Sequence, residues 1–91
     1  MSAEILPRLP ITVPQLGVGE ETVRVSSWLV DVGQFLVTND RVAEVLAPGI
    51  TFDIEAGQTG ELLEIVKPVG SVVVPGEIIG WVKNASNLDP D

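Results

Sequence analysis

The chemistry open to this chain is bounded by the side chains it lacks. There is no histidine and no cysteine, and the only side-chain amines are Lys67 and Lys83. Cysteine nucleophiles, Ser-His-Asp triads and disulfides each need a missing residue. Zinc, haem, iron–sulfur and blue-copper centres normally draw on the same two residue types, so the inventory argues against them. Asp53 and Glu55, two apart in a β-rich segment, share one face of a strand. Such a pair could hold a hard cation or shuttle a proton, but no third group converges on it and a solvated sheet face is the simpler reading. Gly17-Val18-Gly19 lacks the following helix that a phosphate cradle needs and reads as a loop. Thirteen acidic residues against five basic ones give a net charge of −8. That argues against a nucleic acid, which requires a basic face, and equally against anionic membrane surfaces.

The elements that must position any site are strands. Of 91 residues, 15 are Val, 7 Ile and 5 Thr, whereas Ala occurs 5 times; nine Gly and seven Pro punctuate the chain. β-branched side chains fit a pleated surface and are restricted in helices, so the composition predicts an all-β domain rich in turns. No run of 18 apolar residues is present to span a membrane, and the first residues lack a basic and apolar leader, which sets a cytoplasmic expectation. Strands are expected at Ile11–Pro14, with Pro14 confining it to an edge or ending it, and at Thr22–Val30, Phe35–Val37, Arg41–Leu46, Thr51–Ile54, Glu61–Val66, Val72–Val74 and Ile78–Val82. The break in alternation at Ser26-Ser27 predicts a bulge. Pro48-Gly49 is a turn dipeptide, Pro presetting the first central φ and Gly accepting a positive second one. It should cap a hairpin. Because type II geometry does not match the strand twist of a two-residue hairpin, the loop is expected to be wider than two residues.

An internal repeat organises these strands. At an offset of 37, Trp28–Val37 lies over Ile65–Val74, and Val42-Ala43 and Val45 lie over Ile79-Gly80 and Val82. Val32-Gly33 and Val69-Gly70 place the same turn in the same apolar frame. Two such units, each with one apolar face, are expected to close on each other about a pseudo-two-fold axis. Trp28 and Trp81, one in each half, are expected as core or rim anchors, with core packing at symmetric positions favoured over ligand stacking.

With Val13-Pro14, Leu16-Gly17, Trp28-Leu29-Val30, Val32-Gly33, Asp40, Ala43-Glu44-Val45, Glu55-Ala56, Gly60, Val69-Gly70, Gly76 and Ile79 in order and without insertion, the chain resembles the biotinyl/lipoyl attachment domain of acyltransferases and biotin carriers. The resemblance covers Ile11 to Val82. It implies a flattened barrel-sandwich hybrid of two four-stranded antiparallel sheets. It also implies a lysine at the hairpin tip, Asp-Lys-Ala in lipoyl domains and Met-Lys-Met in biotin carriers, whose amine carries the cofactor through an amide. The matching residues here are Pro48-Gly49-Ile50, so Gly49 stands at the lysine position and the attachment site is degenerate.

The resulting expectations are these. Residues 1–10 form a flexible arm, 11–83 the lipoyl-like domain, and 84–91 a polar tail or the start of a linker. The module is non-catalytic and unmodified, with no cofactor. It serves assembly or protein interaction, with dehydrogenase or acyltransferase subunits as partners and Ala47, Pro48, Gly49 and Ile50 as the contact at the tip. The alternative is a true lipoate or biotin carrier modified at Lys67 or Lys83.

Overall fold

Alternating buried and exposed residues build eight strands, which the computed structural model describes over residues 7–19 and 21–84. They are β1 (Arg8–Thr12), β2 (Val23–Trp28), β3 (Phe35–Leu36), β4 (Arg41–Ala47), β5 (Ile50–Glu55), β6 (Gly60–Ile65), β7 (Val72–Val73) and β8 (Ile78–Asn84). They form two four-stranded antiparallel sheets, ordered β1-β8-β6-β3 and β5-β4-β2-β7. The faces turned toward each other carry the core, including Ile11, Val25, Leu36, Val45, Leu62 and Ile79, all at most 2% exposed. No polar residue is buried among the described residues, so the core is held by apolar burial and packing alone.

The 37-residue repeat is a backbone symmetry. The bounds of β2, β3 and β4 reappear 37 residues on as those of β6, β7 and β8. The β2–β4 bulge between Val25 and Ser27 returns between Leu62 and Glu64 in β6–β8. Crossing bonds obey the same operation: Gly33 N–H donates to the Leu62 carbonyl, and Gly70 N–H to the Val25 carbonyl. The outer strands β1 and β5 are counterparts too, since Ile11 pairs with Gly80 as Ile54 pairs with Ala43.

Three expectations change. The first strand begins at Arg8, inside the segment expected as an arm, because Arg8–Pro10 pair with β8; residues 1–6 of that arm lie outside the described residues. Asn84 closes β8 and donates its N–H to the Pro7 carbonyl, so it is strand and not tail, and residues 85–91 lie outside the described residues. The tryptophans are not symmetric. Trp28 reaches from β2 onto the other sheet, its indole N–H donating to the Lys67 carbonyl at 2.8 Å. Its ring lies against Gly80, where an added Cβ would come within 3.2 Å of it. Trp81 is half-buried on an outer face beneath Arg8, whose guanidinium carbon sits 4.7 Å from the ring centroid in a cation–π contact.

Candidate functional site

The hairpin tip follows from the register of β4 and β5. Ala47 pairs with Ile50, so the loop is the two residues Pro48 and Gly49, narrower than expected. Proline cannot take the positive φ that twist-matched types I′ and II′ require at the first central position. Gly49 has φ +78°, which leaves type II. The ladder tolerates the mismatch because it is secured by five further pairs down to Arg41 and Glu55. A Cβ built on Gly49 would meet nothing within 4 Å.

The tip is apolar in character. Ala47 is buried, while Leu46 and Ile50 are 45% and 47% exposed. Leu46 lies in register with Arg24, and Arg24 with Val72, so one cation stands between two exposed aliphatics on the outer face. The Arg24 guanidinium donates to the Gly70 carbonyl at 3.2 Å and makes no ion pair among the described residues. Thr22, Arg24 and Leu46–Gly49 line a shallow crevice beside the loop. None of the four tip side chains carries a nitrogen, so the residues present do not fit an amide-linked lipoate or biotin there.

Neither lysine stands at the tip. Lys67 is fixed from three directions: its N–H donates to Ile79, its carbonyl accepts the Trp28 indole, and its amine lies 2.8 Å from Glu77 Oε2. Lys83 sits near the end of β8, opposite Glu61 and Arg8, at the other end of the molecule from the tip. Asp53 and Glu55 are both exposed on one face, as alternation requires, but Asp53 is 3.3 Å from Arg41. The described residues contain no cluster of three acidic side chains able to hold a metal.

Away from the tip, the Lys67–Glu77 pair sets the charge state of a carboxylate that no sequence pattern marks. Hydrogen bonding to Lys67, then to the Val74 N–H, holds the Glu77 carboxyl below the ordinary value of 4.5. A pKa lowered by folding contributes stability that is complete above the unfolded value and lost as pH falls through the folded one. The stability difference between wild type and Glu77→Gln should therefore be constant above about pH 5.5 and shrink as pH drops below 4.5. Urea midpoints at several pH values measure it; a difference that persists unchanged in acid would remove the ion pair as its cause.

Comparison with known proteins covers this framework. The family described as "Biotin-requiring enzyme", the biotin/lipoyl domain, matches residues 9–82. A lipoamide acyltransferase component of the branched-chain alpha-keto acid dehydrogenase complex of Bacillus subtilis is 32% identical over 69 residues, 76% of this chain and 16% of that protein. A dihydrolipoyllysine-residue succinyltransferase component of the 2-oxoglutarate dehydrogenase complex of Buchnera aphidicola is 24% identical over 82 residues, 90% of this chain and 21% of that protein. A dihydrolipoyllysine-residue acetyltransferase component of the acetoin cleaving system of Bacillus subtilis is 29% identical over 76 residues, 84% of this chain and 19% of that protein. The chain thus spans about a fifth or less of the relatives it matches.

Proposed function

This chain belongs to the biotinyl/lipoyl attachment family, and from that premise we propose that it works as an unmodified, non-catalytic member that engages protein partners through its β4–β5 tip. The observation that carries this reading is Gly49 at the apex of a two-residue turn, the place at which the family resemblance expects the modified lysine. A glycine offers no amine for an amide bond, while Leu46, Pro48 and Ile50 offer exposed apolar surface around it. Fold alone does not carry an activity; the site does, and Gly49 has no amine to form the amide. The relatives are named as acyltransferase components of dehydrogenase complexes or of an acetoin cleaving system, so subunits of such assemblies are the proposed partners. A cytoplasmic setting is proposed with them, in keeping with a chain free of cysteine.

The test is chemical. Incubated with lipoate ligase and lipoate, or biotin ligase and biotin, each with ATP, the chain should keep its intact mass. A stoichiometric adduct would overturn the reading. If peptide mapping placed that adduct on Lys67 or Lys83, the chain would be a carrier after all.

A further inference from the structure

The two outer strands β1 and β5 are symmetry counterparts, yet their outer edges, unpaired among the described residues, differ in one decisive respect. In an antiparallel ladder, residues alternate between bonding their neighbour and facing away. Val42 accepts from Leu29 on the β2 side, so Ala43, Val45 and Ala47 bond β5 through Ile54, Phe52 and Ile50. The main-chain groups of Thr51 and Asp53 therefore face outward, with Glu55 next in line. On the other sheet, Asn84 bonds Pro7, which leaves Arg8, Pro10 and Thr12 facing outward. Pro10 pairs with Trp81 as Asp53 pairs with Glu44, so Pro10 and Asp53 are equivalent positions. At one edge the outward N–H is deleted by proline, a common way of closing a sheet edge. At the other it is kept, and residues 50–58 contain no proline.

A cleft of about 400 Å³ runs between these edges, lined from β1 by Pro10, Ile11 and Thr12 and from the other side by Asp53, Ile54 and Glu55. Ile11 and Ile54 are buried in its floor, and the exposed Asp53 and Glu55 carboxylates stand on its outer rim. A second copy of this chain pairing edge to edge would bring these carboxylates against one another, which is unfavourable. We propose that the free edge of β5 accepts an extended peptide segment of a partner, with Lys or Arg at alternate positions and aliphatic residues between them. Main-chain bonds to Thr51 and Asp53 would hold the segment. Its basic side chains would lie over Asp53 and Glu55, and its aliphatic ones would turn toward Ile11 and Ile54. Arg41, now 3.3 Å from Asp53, is an exposed partner that an incoming cation can displace at little cost. This surface is separate from the tip, so the proposal does not depend on the unmodified reading.

The probe is acetyl-Lys-Val-Lys-Val-Lys-amide, titrated into the whole chain while backbone amide shifts are followed. The expected result is shifts centred on Thr51 to Glu55. Affinity should fall by about tenfold, the size of one lost hydrogen bond, when the central lysine of the probe is N-methylated. Asp53→Pro should close the edge. Its fold is expected to survive, because Pro10 occupies the equivalent position, and the N-methylated probe tests the same bond without altering the protein. No shift, equal binding of the N-methylated or the Glu-Val-Glu-Val-Glu peptide, or shifts spread as strongly over Glu61 and Glu64, would overturn the proposal.

Discussion

Replacing Pro48, Gly49 and Ile50 together by Asp, Lys and Ala is expected to turn a chain that lipoate ligase leaves at its native mass into one that gains a lipoyl group on nearly every molecule. The geometry allows the change. Position 49 is at the apex of a two-residue turn, and a Cβ there would meet no neighbour within 4 Å. The backbone obstacle is the positive φ of Gly49. Holding a lysine in the left-handed region costs about 1 kcal/mol. A type I turn, in which both central φ values are negative, relieves that cost, and either Pro or Asp can begin it. Gly49→Lys alone keeps Pro48 and Ile50 where the family resemblance expects Asp and Ala beside the lysine, and should be modified less completely. Against a domain stability of roughly 5–15 kcal/mol either variant stays folded, which a thermal midpoint verifies. Intact mass before and after ligation reads the result. A folded triple variant that gained no mass would mean that restoring lysine at position 49 does not restore the attachment site, and the reading of Gly49 as the one change that removed it would fail.

That expectation rests on a tip that sequence made visible and on surroundings that it did not. Pro48-Gly49 stood out between two β-branched runs because turn chemistry is local. The β2–β4 and β6–β8 units were visible for the same reason: Val32-Gly33 and Val69-Gly70 mark the turns, and alternation marks the strands between them. The Ser26 bulge was visible as a break in alternation, and the structure places a register shift between Val25 and Ser27. The width of the loop was not, because it is set by pairing across β4 and β5 and not by the turn residues. Arg8–Pro10 did not read as strand because Pro10 breaks the pattern. Its missing N–H faces the open edge, where it costs the ladder nothing. Trp81 reads as a core or rim anchor because an aromatic ring is worth burying, but its cover is not legible: Arg8, arriving from β1, lies over it on the outer face. The Lys67–Glu77 contact joins the end of one strand to the turn before another, and no sequence period announces such a pair.

Gly60→Ala should be among the most destabilising single-methyl additions in the chain, at about 3 kcal/mol or more. Gly60 is buried, and a Cβ on it would run into the main-chain carbonyl oxygen of Lys83 and approach Val82 Cγ1 to 3.0 Å. A backbone obstacle cannot rotate away as a side chain can. The symmetry shows why glycine is needed here. The counterpart of Gly60 is Val23, where the β2–β4 ladder has not yet begun: its first pair is Arg24 with Leu46. The β6–β8 ladder runs one pair further, joining Gly60 to Asn84, whereas the pair of Gly60 with Leu36 has its counterpart in that of Val23 with Val73. The extra pair draws β8 close enough that only a hydrogen fits. Gly57→Ala provides the contrast: its φ is +74° but nothing lies within 4 Å, so only backbone strain of about 1 kcal/mol is expected. Urea unfolding of the two variants separates the effects. Gly60→Ala should lose several times the free energy of Gly57→Ala, and its slope should match wild type if the native ladder is weakened and not rearranged. Equal losses would mean that β6 and β8 do not approach each other this closely, and that the second half of the repeat ends its ladder where the first half does.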